Sequence, residues 1–201
     1  MSGGAAVPRP GVYLSGEVVE DSSLKRRKAL FLDRDGVINV NHGYVHRPDQ
    51  TEWVPGVFDF CRQAQEAGFL CVVVTNQAGI ARGYYSESTF LDYTRWMHEQ
   101  FASRGVPLLA TFYCPHHPTA GVGQWMVDCE CRKPQPGMIL AAKELFNLSL
   151  PDSILVGDQP SDLEAASAAG VGRAVMIDAN SASPFGNAYA LLSPSAKPQG
   201  P

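Results

Sequence analysis

The chain has no apolar run that approaches a membrane span, no excess of basic residues and no internal repeat. A transmembrane helix needs about 20 consecutive apolar residues, so no membrane partner is expected. Sixteen Lys and Arg stand against 20 Asp and Glu, for a formal net charge of −4. Without a basic field there is no footprint for nucleic acid, and an anionic ligand must be met by local groups. The start, Met1-Ser2-Gly3-Gly4-Ala5-Ala6, has neither the basic end nor the apolar core of a secretory leader, so a cytoplasmic location is expected. What is there suits one soluble globular domain with a proper core: 201 residues, 45% hydrophobic and 18% charged.

Cysteine is sparse outside one place. Three of the five, Cys114, Cys129 and Cys131, fall within eighteen residues of a Pro- and Gly-rich loop. Cys114 and His116 form a C-x-H pair, Cys129 and Cys131 a C-x-C pair, and twelve residues lie between His116 and Cys129. Three thiolates and an imidazole fill a tetrahedral Zn²⁺ site with no position open to water. Such a site staples a loop and does no chemistry. Three unrelated core thiols are the plain alternative, but a loop of this composition does not look like a core strand. Cys61 and Cys71 fall where buried thiols fit.

Chemistry is expected at the strand ends. Lys28-Ala29-Leu30-Phe31-Leu32 reads as a buried strand that runs into Asp33-Arg34-Asp35-Gly36. Residues two apart on an extended chain share a side, so Asp33 and Asp35 face one site while Arg34 turns away. Paired carboxylates suit Mg²⁺, and also a division of labour in which one attacks and the other carries a proton. Alone, the run could equally be an Asp-Gly turn. Cys71-Val72-Val73-Val74 is a second strand, ending in Thr75-Asn76-Gln77, where a hydroxyl and main-chain N–H groups can hold a phosphoryl oxygen. A third, Ser153 to Asp158, ends in a carboxylate, with Asp162 one turn later as either support for a metal or a helix cap. Lys133 adds a positive charge. In a parallel α/β sheet such ends gather at one edge, where ligands bind. Acid, acid, hydroxyl, lysine and acid around one cation are the parts of in-line phosphoryl transfer.

Residues 1–26 and 181–201 are rich in Gly, Pro, Ser or Ala and read as flexible tails around a domain at 27–180. Within it, helical spacing at Val57 to Ala67, at Phe90, Thr94, Met97 and Phe101 behind a Ser86 cap, at Met138 to Phe146 and at Leu163 to Ala169 alternates with strands, the last at Arg173 to Asp178. The alternation predicts a three-layer, Rossmann-like α/β fold, a parallel sheet with helices on both faces and a zinc-stapled loop. Neither the 39 residues from Gly36 to Thr75 nor the interval from Thr75 to Lys133 has room for a separate cap domain. The zinc loop and the His42–His46 loop are left to cover an open site. Such a site needs no partner subunit, and a monomer is expected.

The order D-x-D, Thr, Lys, Gly-Asp resembles the haloacid dehalogenase (HAD) superfamily of phosphohydrolases, from about Leu30 to about Asp178. Within it, Asn41-His42-Gly43-Tyr44-Val45-His46, the run Thr75 to Tyr85, Cys-Pro-His-His-Pro and Cys-Arg-Lys-Pro resemble the D,D-heptose 1,7-bisphosphate 7-phosphatases. The resemblance implies a sugar bisphosphate substrate, catalytic Mg²⁺ and structural Zn²⁺. It implies Asp33 as nucleophile, Asp35 as acid and base, and Thr75 and Lys133 on the phosphoryl oxygens. Mg²⁺ would be held by Asp33, the Asp35 carbonyl and Asp158. Substrate contacts would come from Asn41, His42, Gly43, Tyr44, Asn76, Gln77 and Ala78, with Arg132 gripping the second phosphate. Histidinol-phosphate phosphatases share the zinc loop and D-x-D but usually lack His-Gly-Tyr-Val-His and Ile-Ala-Arg-Gly-Tyr-Tyr; another phosphorylated sugar is a further alternative. A catalytically dead, zinc-stapled binding module would lack at least one of Asp33, Asp35, Thr75, Lys133 or Asp158, and all five are present. One departure stands out: Gln159 occupies a position where the family often carries lysine, which leaves the anomer open.

Overall fold

A computed structural model describes residues 9–16 and 26–193. In chain order the elements are β1 (Gly11–Leu14), β2 (Lys28–Leu32), α1 (Val57–Glu66), β3 (Phe69–Asn76), α2 (Ala78–Ala81), α3 (Glu87–Ser103), β4 (Ala110–Cys114), α4 (Gly137–Phe146), β5 (Ile154–Gly157), α5 (Pro160–Ala169), β6 (Arg173–Met176) and α6 (Gly186–Leu192). The strands form one six-stranded sheet in the order β1-β4-β3-β2-β5-β6.

Side-chain alternation builds the layers. On β2 and β3, Leu30, Leu32, Cys71 and Val73 pack with Val57 and Phe60 of α1, Met97 and Phe101 of α3 and Ala188 of α6. Their neighbours Ala29, Phe31, Val72 and Val74 join Met138, Ala142 and Phe146 of α4 and Ala165 and Ala166 of α5 on the opposite face. A strand covered on both faces has no polar side to show, which is why these segments read as continuous apolar runs. Each large side chain so buried, such as Phe60, stabilises the fold by roughly 1.5–3 kcal/mol. The helix starts are local: the Ser86 hydroxyl accepts the Thr89 N–H at 3.0 Å and begins α3.

Two expectations need correction. The sheet is mixed, because β1 runs antiparallel to β4, with Gly11 opposite Tyr113 and Leu14 opposite Ala110. The strands from β2 to β6 are parallel to their neighbours. Four residues with a glycine and a half-exposed pattern carry little strand signal. Their place comes from tertiary contacts: the Ser15 hydroxyl reaches the buried His98 ring and the Leu108 carbonyl, and the Tyr113 ring fills the space where a side chain on Gly11 would stand. The C-terminal segment also adds core. Phe185 stacks on Phe60 at 4.8 Å between centroids, and Tyr189 meets the same ring edge-on. The remaining residues of the two expected tails, 1–8, 17–25 and 194–201, lie outside the described residues.

Candidate active site

β2 lies inside the sheet, between β3 and β5, so the residues following these three strands meet at one edge. There a cavity of about 390 Å³ is walled by Asp33 and Asp35 after β2, Thr75 and Asn76 of β3, Asp158 after β5, and Lys133 from the loop ahead of α4. Asn41, Gly43 and Tyr44 close one side, Gln77, Ala78, Gly79 and Tyr85 another, and Gln159, Ser161 and Asp162 a third. The loop from Cys114 to Cys131 supplies no lining residue, against the expectation that it covers the site.

Lys133 is the hub. Its Nζ donates to Asp33 Oδ1 at 2.6 Å and to the Val74 carbonyl at 2.7 Å, and lies 2.6 Å from Asp162 Oδ1. Burial alone would lower its pKa, but the Asp33 and Asp162 carboxylates outweigh burial and raise it. Asp33 is pushed up to about 7, by burial first; Lys133 opposes the rise while Asp162 and Asp35 add to it. Desolvation also raises Asp158. When fully ionised, three carboxylates around one ammonium leave the cluster two charges negative. A phosphate dianion would be repelled and a cation attracted. Asp33, Asp158 and Asp162 each offer an oxygen within 4.8 Å of the others, and the buried Asp158 Oδ1 has no hydrogen-bond partner. Both facts fit a hard divalent cation.

Asp162 has a second task that the sequence left undecided. Its Oδ2 accepts the Asp158 and Gln159 main-chain N–H groups at 3.1 and 3.0 Å, and with Gln159 it forms the capping box of α5. It therefore caps the helix with one oxygen and holds Lys133 with the other.

Asp35 is held from the side. Arg34 does not line the cavity, yet its Nη2 curls back to Asp35 at 2.6 and 2.8 Å and to the Val45 carbonyl at 2.7 Å, with its guanidinium 5.3 Å from the Tyr93 ring centroid. Arg34 turns away from the cavity, and its long side chain wraps back to hold its neighbour. Asn39 donates to Asp35 Oδ1 at 3.0 Å.

Several expected substrate contacts are spent on the protein itself. The Asn76 carboxamide is paired to the main chain of Lys133, accepting its N–H and donating to its carbonyl, both at 3.0 Å. Buried Gln77 donates to Thr75 Oγ1 at 2.9 Å, faces Asp35 Oδ2 at 3.5 Å, and accepts the Tyr85 hydroxyl at 2.7 Å. His42 pairs with Glu52 at 3.0 Å on the surface and does not line the cavity. Arg132 lies outside the lining too, donating to the His116 carbonyl at 3.2 Å. Its charge and that of Arg82 act on His117, whose pKa is lowered first by desolvation and then by these two guanidinium groups. Arg82, Tyr85 and Ser161 were not singled out in the sequence. Arg82 and Tyr85 lie inside the quoted run from Thr75 to Tyr85, but nothing in their spacing distinguishes them.

Cys114, His116, Cys129 and Cys131 form a second, fully buried group. Its sulfurs lie 3.3–3.5 Å apart, and His116 Nδ1 is 3.7 Å from Cys114 and 3.4 Å from Cys131. A tetrahedron with metal–sulfur bonds of about 2.3 Å has edges of about 3.8 Å, so the cluster is near that size. The Cys114 thiol is brought down to about 6, chiefly by the hydrogen bond from Cys131, while Cys131 and Cys129 are pushed up.

A D-glycero-beta-D-manno-heptose-1,7-bisphosphate 7-phosphatase of Vibrio cholerae serotype O1 is 48% identical over 151 residues, 75% of this chain and 81% of that protein. The chain belongs to the heptose-1,7-bisphosphate 7-phosphatase family. Both anomeric branches of the family are equally near: the D-glycero-alpha-D-manno-heptose-1,7-bisphosphate 7-phosphatase of Burkholderia mallei is 49% identical, over 76% of this chain and 80% of that protein. The family's D,D-heptose 1,7-bisphosphate phosphatase from B. bronchiseptica, solved with magnesium and phosphate, superposes with a TM-score of 0.64 at 35% identity, over 73% of this chain and 78% of that one. The HAD-hydrolase-like family profile matches residues 130–182, which hold Lys133, Asp158 and Asp162. The chain is accordingly an enzyme of the HAD-like phosphatase class. Among the described residues no helix is long and apolar enough to cross a membrane.

Proposed function

We propose that this enzyme removes the 7-phosphate of D-glycero-D-manno-heptose 1,7-bisphosphate through an aspartyl phosphate on Asp33, as a cytoplasmic monomer. The observation that carries the chemistry is the buried Asp33–Lys133–Asp162 chain opening on a cavity that Asp35 and Thr75 also face. Asp33, Asp158 and the Asp35 carbonyl would hold Mg²⁺, which when bound offsets repulsion between carboxylate and phosphate. Asp33 attacks phosphorus and Asp35 gives its proton to the leaving sugar oxygen. Asp35 then takes a proton from the water that attacks phosphorus of the Asp33 acyl phosphate, breaking the bond from phosphorus to the carboxylate oxygen and returning inorganic phosphate and free carboxylate. Lys133 and Thr75 hold the phosphoryl oxygens. The Cys114, His116, Cys129 and Cys131 cluster would hold structural Zn²⁺, its closed donor set leaving no position for substrate. Arg132, with Arg82 nearby, is the group to meet the second phosphate.

A phosphate-release comparison of both heptose bisphosphate anomers, the 7-monophosphate and histidinol phosphate tests this reading. A bisphosphate should exceed the monophosphate in kcat/KM by roughly 10–100-fold, and Arg132→Ala should erase most of that margin. A higher value for histidinol phosphate than for either bisphosphate would sink the assignment.

A further inference from the structure

The Thr75 hydroxyl is buried, and its neighbours decide which way its proton points. A hydroxyl carries one proton and two lone pairs. Gln77 Nε2 donates to Thr75 Oγ1 at 2.9 Å and so occupies a lone pair, leaving the Thr75 proton unclaimed by the protein. If the carboxamide were turned over, its oxygen would take the Thr75 proton and also stand 3.5 Å from the Asp35 carboxylate. Two features forbid that turn. Oxygen against carboxylate is repulsive, and the Tyr85 hydroxyl donates to Gln77 Oε1 at 2.7 Å, fixing the far end as the acceptor.

Tyr85 itself is set in place for this. Its ring stacks on His46, centroids 4.5 Å apart, and its other contacts reach Gly79, where any side chain would meet the ring within 2.5 Å. The residue is 8% exposed. Burial first, with Asp35 adding and Arg34 opposing, pushes its hydroxyl up to about 12, so it remains a donor at neutral pH.

We propose that Tyr85 and Gln77 are positioning residues that, through directed hydrogen bonds in the order Tyr85 to Gln77 to Thr75, aim the Thr75 proton into the cavity as a donor to the phosphoryl group. The inference rests on the phosphatase reading but not on which sugar is used. It assigns Tyr85 a role that its place outside the reacting groups conceals, and moves Gln77 from substrate contact to donor alignment.

The test uses p-nitrophenyl phosphate as substrate and inorganic phosphate as competing ligand, so it is independent of the sugar. Tyr85→Phe frees the carboxamide to turn, and kcat/KM should fall about tenfold with a parallel weakening of phosphate inhibition. Gln77→Glu places acceptors at both ends and should cost more, about 100-fold, whereas Gln77→Leu, which leaves the Thr75 proton present but undirected, should fall between wild type and Thr75→Val. In the Thr75→Val background, Tyr85→Phe should change kcat/KM by less than about twofold, because no proton is left to aim. Melting temperatures check that each variant is folded. An equal Tyr85→Phe penalty in both backgrounds would mean that Tyr85 acts by packing alone and would overturn the proposal, as would a loss under twofold in the Thr75 background. Failure of the heptose assay with a coupled Tyr85–Thr75 pair would reject the substrate and leave the relay standing.

Discussion

Two buried polar clusters sit a few residues apart along the chain, and only one of them can do work. The carboxylate group around Asp33 contains its own cation, Lys133, faces a cavity, and still carries excess negative charge. The thiol and imidazole group around Cys114 contains no fixed cation, is buried at every member, and packs into the same apolar cluster as Met138 and Phe112. Charge imbalance beside open space invites a ligand and a reaction. A closed set of soft donors in a hydrophobic wall can only bind and hold. Arg132 links them, next to Lys133 in sequence and bonded to the His116 carbonyl.

Removing the Asp33 carboxylate breaks the comparison most sharply. Asp33→Asn should lower kcat by at least about 10³-fold while melting at or slightly above the wild-type temperature, since a costly buried charge is gone and Lys133 keeps Asp162. Activity within tenfold of wild type, in a sample checked for deamidation, would dispose of the assignment.

Cys129→Ser should do the reverse. Zinc measured by elemental analysis should fall from one per chain to none, the melting temperature should drop by roughly 5–10 °C, and kcat/KM should fall only about tenfold, through a displaced Arg132. Zinc-free protein of unchanged stability would show the cluster to be plain core thiols.

The charged cluster should also leave its mark on stability. Asp33 has a raised pKa in the fold, so its contribution is fully present below 3.8 and is lost as pH rises through about 7. Metal-free wild type should therefore lose roughly 3–5 °C between pH 5 and 7.5, with a flatter profile in Asp33→Asn and recovery on adding Mg²⁺. Parallel profiles for the two proteins would show that Asp33 does not pay a charging cost.

His42→Ala should matter least. The His42–Glu52 pair is exposed and outside the cavity, and kcat/KM should stay within about twofold of wild type. A tenfold loss would bring the His42 ring itself into the site.

How far the residues themselves declare this arrangement depends on the range of the forces involved. The apolar runs Lys28 to Leu32 and Cys71 to Val74 announce buried strands, because burial on both faces suppresses polar side chains. The gathering of Asp33, Thr75, Lys133 and Asp158 follows from strand-end logic in a parallel sheet. β1 and α6 were missed since each is short and is fixed by distant partners, His98 for one and Phe60 for the other. Asn76 and Gln77 do line the cavity, as expected of substrate contacts, but a carboxamide beside Thr75 carries no local sign of the bonds it makes within the protein. That Lys133 and Tyr85 consume them is a fact of three dimensions.

The antiparallel β1 has a bearing on how this protein can be handled. It covers the outer backbone of Ala110 to Tyr113 in a fully buried strand whose last residue, Cys114, belongs to the thiol cluster. A shortened chain beginning at Lys28 would retain every catalytic group and still bare a flat, hydrogen-bond-hungry ribbon. Such a fragment would recruit its own copies edge to edge, and it would do so beside the residues that shape the thiol cluster. The first strand is thus a seal over the outer edge of β4.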